Sequence, residues 1–439
     1  MNKNKRESII QKCIDISCIE KNGPNNNNVT FGWGNTFLNW KDNLLYNYVR
    51  FNSKFNMIPT KIHLYNKIFD TSVPQEKAKY EKKFSKIISV TYRSYFKPQI
   101  NIKNNKEYTT DCGWGCMIRS SQMILCRGLY KIFKYNLKQK DNLTKLIVPF
   151  IMENNLKINE TEYYGMTSYI NKLKSLGKKD IIEIDPPFSI HKICILGEIF
   201  GRTSGEWFSD YELPKIYDII NSTFDIISYL SIIHFNSWVQ LETILNRCFK
   251  EENLSDKINT NSIENNNNIN NENKIELYGK NYIMEKMGLV FISVRLGIEE
   301  VNPDYFPSLK KLFDCKENIG FIGGKKNSNS ASYFFGYYDN NLLFLDPHHN
   351  YPSINYLDNN NINTYINKVA YKINLNSLKA GFTIGFVFRN IKEFNELLTY
   401  FRSLNDEKYP CFTYSEKEIK RNSKEINEIL NNISNKDDF

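Results

Sequence analysis

The spacing of apolar residues changes along this chain, and the change predicts its elements. Between Met117 and Phe133 they fall at 117, 118, 124, 125, 129 and 133, close to the period of an amphipathic helix that starts just after Gly113 and Gly115. Later the runs are short and rich in β-branched and aromatic side chains: GLVFISVRL at 288–296, IGFIGG at 319–324, SYFFGYY at 332–338, NLLFLD at 341–346 and GFTIGFVF at 381–388. These predict adjacent strands, and the connections are too short for crossover helices, so an antiparallel sheet is expected. The greasiest stretch, Tyr217 to Phe235, is interrupted by Asp218, Asn221 and Asp225 and predicts a buried helix. Helices early and strands late define an α+β class. No internal repeat is present.

Composition narrows the class. A chain of 439 residues with 41% hydrophobic and 14% aromatic positions can bury a sizeable core, which excludes a wholly disordered protein. Asparagine runs at Asn25–Asn28 and Asn259–Lys274 are expected to be loops, and the charged stretch Ser415–Phe439 a mobile tail. No apolar run reaches the ~18–20 residues of a membrane span, and the first thirty residues lack the apolar core of a secretory signal, so a cytoplasmic location is expected. Nine cysteines without repeated spacing do not form a disulfide scaffold. The net charge of +10 comes from basic residues interleaved with acids. That favours weak attraction to anionic lipid and argues against nucleic-acid recognition, which needs a clustered patch.

Five histidines, at 63, 191, 234, 348 and 349, make the search for a general base short. His63 lies in a Lys-flanked apolar stretch, His234 on the greasy segment and His191 at a helix start without a close acid; each reads as packing or surface. His348 stands two residues after Asp346, beyond Pro347, which keeps the chain extended. In an extended chain residues i and i+2 share a face, so Asp346 and His348 project together while His349 turns away. A carboxylate there fixes the imidazole tautomer and stabilises its protonated form. The second constellation is Asp111-Cys112-Gly113-Trp114-Gly115-Cys116-Met117-Ile118-Arg119. A cysteine in a helix's first turn, after glycines that let a substrate approach, has a stabilised thiolate, and Cys116 holds that place. Cys112 precedes the turn and Cys126 is read as a small buried hydrophobe. The rival reading is a metal site of Cys112 and Cys116 with His348 and His349. It leaves the glycines and Trp114 without a task.

Tyr92-Arg93, TTDCGWGCMIRSSQM, FSIHKI, SGEWF, RLGIEEVNPDYFPSLKKLF, IGFIGGKKNS, SYFFGYY and LFLDPHHNYP occur in this order. Together they resemble the landmarks of the autophagins, cytosolic cysteine peptidases that process the ubiquitin-like protein of autophagy. The likeness covers roughly residues 58–400 and is carried chiefly by the G-W-G-C-M-x-R and L-D-P-H blocks. It implies a papain-like peptidase core with a helical second lobe. It implies Cys116 as nucleophile, His348 as base, Asp346 as orienting acid, and Tyr92 as an oxyanion donor beside the Cys116 backbone N–H. It also matches Trp207 to a residue overhanging the cleft, and Gly323, Gly324, Lys325 and Lys326 to a covering lid; on residues alone these read as packing and a turn.

The implied substrates are the precursor of the ubiquitin-like protein and its phosphatidylethanolamine conjugate, met at a membrane surface, with no cofactor and no metal. Departures are Ser120, where many members have cysteine, and Lys326, where familiar members have proline. Tyr46 and Val49 have the aromatic-x-x-aliphatic form that docks on ubiquitin-like folds by strand addition. The expected organisation is an N-terminal extension at 1–55, a catalytic domain from 56–147 and 277–410, a helical subdomain at 148–250, an Asn-rich loop at 251–276 and a flexible tail at 411–439. The alternatives kept open are a catalytically silent docking partner and, more distantly, a zinc-binding structural protein.

Overall fold

The computed structural model describes residues 55, 61–136, 143–154, 156–157, 183–184, 186–252, 274–277, 279–326, 330–355, 358–366 and 368–416. The runs at Asn25–Asn28 and 259–273, the Tyr46 and Val49 motif, and residues 417–439 lie outside these. A hairpin of β1 (Lys61–Leu64) and β2 (Lys67–Asp70) leads through α1 (Pro74–Phe84) to β3 (Tyr92–Ile100), β4 (Glu107–Thr110) and the long helix α2 (Cys116–Asn136). After α3 (Leu143–Ile151) and the two-residue strands β5 (Leu156–Lys157) and β6 (Glu183–Ile184) come α4 (Ile190–Gly197) and α5 (Glu212–Phe224). Then follow β7 (Leu230–Asn236), β8 (Trp238–Gln240), α6 (Leu241–Cys248), β9 (Phe249–Glu251), β10 (Lys274–Leu277), β11 (Lys280–Met284) and β12 (Met287–Glu300). The last third holds α7 (Phe306–Asp314), β13 (Asn318–Lys325), β14 (Ala331–Tyr338), β15 (Asn341–Leu345), β16 (Asn350–Pro352) and α8 (Asn359–Ile366). It ends with β17 (Tyr371–Asn374), β18 (Leu378–Phe388), α9 (Ile391–Ser403) and β19 (Thr413–Ser415).

The main sheet runs β17-β15-β14-β13-β18-β12-β7, with the β1–β2 hairpin joined to β14. Its central strands are apolar on both faces because both are covered. Along β12, Leu289 and Phe291 face the helix α2 side while Val290, Ile292 and Val294 face the side of α7 and α9, the period-two alternation of a strand sorting side chains into two cores. Helix α2 lies across β13, β14 and β18. It lies so close that a Cβ on Gly128 would stand 2.7 Å from the Leu289 side chain.

Two expectations are corrected. The stretch 217–235 is not one helix: α5 stops at Phe224, Asp225 turns left-handed at φ 48°, and β7 pairs with β12. Beyond Asp225 the β-branched Ile226, Ile227, Ile232 and Ile233 favour an extended chain, and Asp tolerates the left-handed turn. The β7–β12 pairing is parallel, so the sheet is antiparallel except at that edge. The tail does not begin at 411 either. Cys411, Phe412 and Tyr414 are buried, with Phe412 and Tyr414 packed on Phe401, and β19 pairs with β8. No helix among the described residues is long and apolar enough to cross a membrane.

Candidate active site

The sharp turn before α2 is built by its own sequence. Gly113 sits at φ 86°, a conformation costly for other residues, and the N–H groups of Trp114 and Gly115 donate to the Asp111 carbonyl at 3.2 and 2.9 Å. The Asp111 side chain is fully buried beneath. It accepts from the Arg93 backbone N–H at 2.7 Å and from Arg119 Nε at 2.6 Å, and Arg119 reaches on to Glu153 at 2.7 Å. No sequence signal joins Glu153 to Arg119, and this buried network was not foreseen. A Cβ on Gly115 would stand 2.6 Å from the Asp111 carboxylate, which those two bonds hold fast. Gly115→Ala is therefore expected to cost about 1–3 kcal/mol of stability by overpacking. It is also expected to lower kcat/KM by more than that loss explains, because Cys116 is the next residue; a denaturant midpoint and steady-state kinetics on the same sample separate the two effects.

The structure brings Cys116, His348, Asp346 and Tyr92 together. Cys116 is the first residue of α2 and is almost wholly buried. His348 and Asp346 come from the segment joining β15 to β16, and β16 runs parallel to β3, pairing Asn350 with Tyr92. The Tyr92 N–H also donates to the Pro347 carbonyl at 2.9 Å, so the histidine segment is strapped to the strand that begins with Tyr92. Asp346 accepts from His348 Nδ1, and from the His348 backbone N–H at 3.2 Å. With Nδ1 so engaged, Nε2 is the nitrogen left for the Cys116 thiol, which His348 hydrogen-bonds. The Tyr92 ring stands edge-on to the His348 ring with centroids 5.2 Å apart, and its hydroxyl meets the thiol. His349 turns away and stacks on Tyr351, as the extended geometry required.

Electrostatics follow from these contacts. Burial by itself would depress the His348 pKa, but the Asp346 charge, its hydrogen bond and the Cys116 thiol raise it to about 9. Burial pushes the Cys116 thiol up, yet the hydrogen bond and charge of His348, the Ala331 N–H and the Tyr92 hydroxyl outweigh it and the pKa falls below the ordinary 9.0. Both shifts act toward a thiolate beside an imidazolium, the reactive form of such a nucleophile. Burial, then the nearby Cys116 and Asp111, raise the Tyr92 pKa well above its usual value, so its hydroxyl keeps a proton to donate. Cys112 is instead pushed up to about 11, chiefly by burial.

Alkylation rates should show the contrast. With iodoacetamide and peptide mapping, Cys116 is expected to react below pH 9 while Cys112 stays largely unmodified. Asp346→Asn, which removes the charge that keeps His348 protonated, should move the Cys116 profile to higher pH. A Cys116 profile that rises only at pH 9 or above would overturn the ion-pair reading.

The thiol opens into a cleft of ≈ 550 Å³ lined by Trp114, Met117, Trp207, Gly324, Lys326 and Gly381 among others. Trp207 is half exposed over it and donates from Nε1 to the Gly113 carbonyl at 2.8 Å. Of the four lid residues, Gly324 and Lys326 line the cleft, whereas Gly323 packs against Phe382 and Lys325 points to Asp346, 3.9 Å from its Oδ2. Alternation along β13 separates the two pairs. The remaining histidines lie elsewhere: His63 meets Asp314 and Tyr337, His191 the Lys97 carbonyl, and His234 Ser293. Ser120 is buried inside α2, and among the described residues its Oγ has no hydrogen-bond partner. Among the described residues no three His, Cys, Asp or Glu side chains are grouped to hold a metal ion.

A thiol at a helix N-terminus, facing an imidazole from a neighbouring sheet that is oriented by a carboxylate, defines with this fold a papain-like cysteine peptidase. A family model, the Peptidase C54 catalytic domain, matches residues 77–400. Curated relatives include cysteine protease ATG4D of Xenopus laevis, 24% identical over 89% of this chain and 79% of that protein. Cysteine protease ATG4B of Gallus gallus is 25% identical over 71% and 74%, and cysteine protease ATG4A of Homo sapiens 25% over 73% of each. The chain belongs to the Peptidase C54 family, the ATG4 or autophagin cysteine peptidases.

Proposed function

We propose that the protein is a thiol endopeptidase that cuts after the C-terminal glycine of a ubiquitin-like autophagy protein, removing either a peptide tail or phosphatidylethanolamine. The observation that carries this reading is the contact of Cys116 with His348 and Tyr92 at the mouth of a covered cleft, in a chain of the ATG4 family. The Cys116 thiolate attacks the glycine carbonyl carbon, and the negative charge that develops on oxygen is met by the Tyr92 hydroxyl and the Cys116 backbone N–H at the start of α2. Collapse of the tetrahedral intermediate breaks the C–N bond as His348 gives its proton to the departing amine. A thioester remains. Water, deprotonated by His348, attacks it; the C–S bond breaks, and the free glycine carboxylate and the thiolate are restored. Asp346 holds the imidazole in register throughout. No step needs a cofactor.

Trp207 and Gly324 both line the cleft that holds Cys116, and a wall of Gly324 and Gly381 leaves room for the backbone of a glycine-ended chain. For the conjugate the protein must meet a lipid surface, where the net positive charge is favourable. Tyr46 and Val49 would add a docking contact on the ubiquitin-like fold. The test is incubation with a glycine-ended ubiquitin-like autophagy protein carrying a C-terminal extension, and with the same protein conjugated on phosphatidylethanolamine vesicles, read by intact mass. A product ending in glycine from both supports the proposal. Binding without cleavage of either would turn the assignment to a docking partner.

A further inference from the structure

We infer that Arg93 is a positioning residue that holds the Cys116 turn and the His348 segment at their working distance. The inference rests on the peptidase reading above and adds a residue that acts through the catalytic ones without touching substrate. Arg93 follows Tyr92 on β3, so its side chain leaves the strand on the opposite face. Its backbone serves the nucleophile. The N–H donates to Asp111 Oδ1 at 2.7 Å, and the carbonyl accepts from the Asp111 N–H at 3.3 Å and from the Thr110 hydroxyl at 2.9 Å. Its side chain serves the base. Nη1 donates to the Pro352 carbonyl at 3.3 Å and to the Thr364 hydroxyl at 2.9 Å, so it ties β16 to α8. The guanidinium also lies over the Tyr351 and Tyr365 rings, 5.6 and 4.2 Å from their centroids, and Tyr351 stacks on His349, the neighbour of His348.

This arrangement is costly. Arg93 is wholly buried, and among the described residues its Nε and Nη2 have no hydrogen-bond partner. None of its side-chain N–H groups meets a carboxylate among those residues, whereas Arg119, equally buried, is bonded to Asp111 and Glu153. A buried guanidinium compensated mainly by aromatic faces costs more than an apolar side chain of similar volume, which would pack β3 against α8 as well. An apolar residue cannot direct bonds to two segments at once. Costly features of this kind persist where they fix a geometry that a reaction needs. Here Asn350 stands opposite Tyr92 and Tyr351 opposite Arg93, so a slip of β16 along β3 would carry His348 away from Cys116.

Arg93→Met is expected to lower kcat on a glycine-ended precursor about tenfold with KM within about twofold. It should also move the pH midpoint of Cys116 alkylation by iodoacetamide upward by about one unit, because a displaced imidazole no longer stabilises the thiolate. The groups that face the pair, Asp346, Tyr92, Asp111 and Cys112, with Lys325 beside Asp346, are unaltered in this variant. The denaturant midpoint should move less than in Arg119→Met, since removal of an unpaired charge offsets the lost bonds. Arg93→Lys, which keeps the charge without the planar fork, should stay within about twofold of the methionine variant. Full activity with lysine would reduce the role to charge and overturn the inference. So would a large loss of stability with kcat per folded molecule and the alkylation profile unchanged, the mark of a merely structural residue. If Arg93→Met does not fold, Thr364→Val removes only the α8 contact and is expected to lower kcat about threefold, with an alkylation shift in the same direction. No change in either overturns the inference. Alkylation needs no substrate. Shifted profiles in variants of a protein that cleaves no ubiquitin-like substrate would therefore sink the peptidase reading and support the role of Arg93, whereas unshifted profiles with cleavage intact would do the reverse.

Discussion

Alanine in place of Cys116 is expected to remove cleavage of any extended substrate, and His348→Ala to do nearly the same, each lowering kcat/KM by at least about 10⁴-fold, with the double variant no worse than either alone. The non-additivity follows from the contacts. Each side chain shifts the other's pKa toward the charged pair, so losing one removes the reactive state of the survivor. Asp346→Asn should cost up to about 10⁴-fold with the geometry intact, because the carboxylate charge is lost and the amide can hold the imidazole in the wrong tautomer. Steady-state kinetics on glycine-ended precursors, with circular dichroism to establish that each variant folds, would check the series. Residual activity in the Cys116→Ala variant above a few parts in ten thousand would require a second nucleophile. Cys112, pushed up to about 11, is poorly suited to that part.

The largest stability effect should come from below the site. Arg119 is fully buried and bonded to both Asp111 and Glu153, which are buried as well. Replacing it with methionine keeps much of the volume but strands two carboxylates in a low-dielectric interior. Breaking such a pair costs about 3–5 kcal/mol, far more than the net worth of the intact one, because the remaining charge has lost its water and gained nothing. Urea unfolding should show the midpoint shift at unchanged slope. Since Asp111 also holds the turn that presents Cys116, Arg119→Met is expected to lose activity even under conditions where most of the protein is folded. Glu153→Gln, which retains an acceptor and lets Arg119 keep Asp111, should be the gentler change. A loss of 1 kcal/mol or less in Arg119→Met would mean that water or a shifted side chain replaces the guanidinium.

How much of this was legible in the sequence depended on the range of the interaction. The helix from Cys116 and the strands at 287–300, 318–325, 331–338, 341–345 and 378–388 were visible because burial imposes its period on neighbouring residues. Asp346 and His348 were readable as a pair because an extended chain puts i and i+2 on one side, and Cys116 because the glycine turn and helix start are local. Tyr92 was one tyrosine among 28 and gained a role only through resemblance. The Arg119–Glu153 bond and the strap between β3 and β16 join residues too distant in sequence to leave a periodic trace. The error at 217–235 came from reading hydrophobicity without chain direction. Asp225 was noted as an interruption of a helix, when its left-handed turn ends one element and the isoleucines beyond it begin another.

The strap between β3 and β16 also governs timing. Cys116 and Tyr92 leave the ribosome early, while Asp346, His348 and the central strand β18 are among the last parts of the fold to be made. Until then the early half lacks the imidazole that activates its thiol, and the sheet against which α2 packs is missing its middle. A nascent or truncated chain thus carries a cysteine of ordinary reactivity. Activation of the thiol arrives only when both ends of the fold have met, so the order of synthesis itself delays assembly of the site until the late strands are in place.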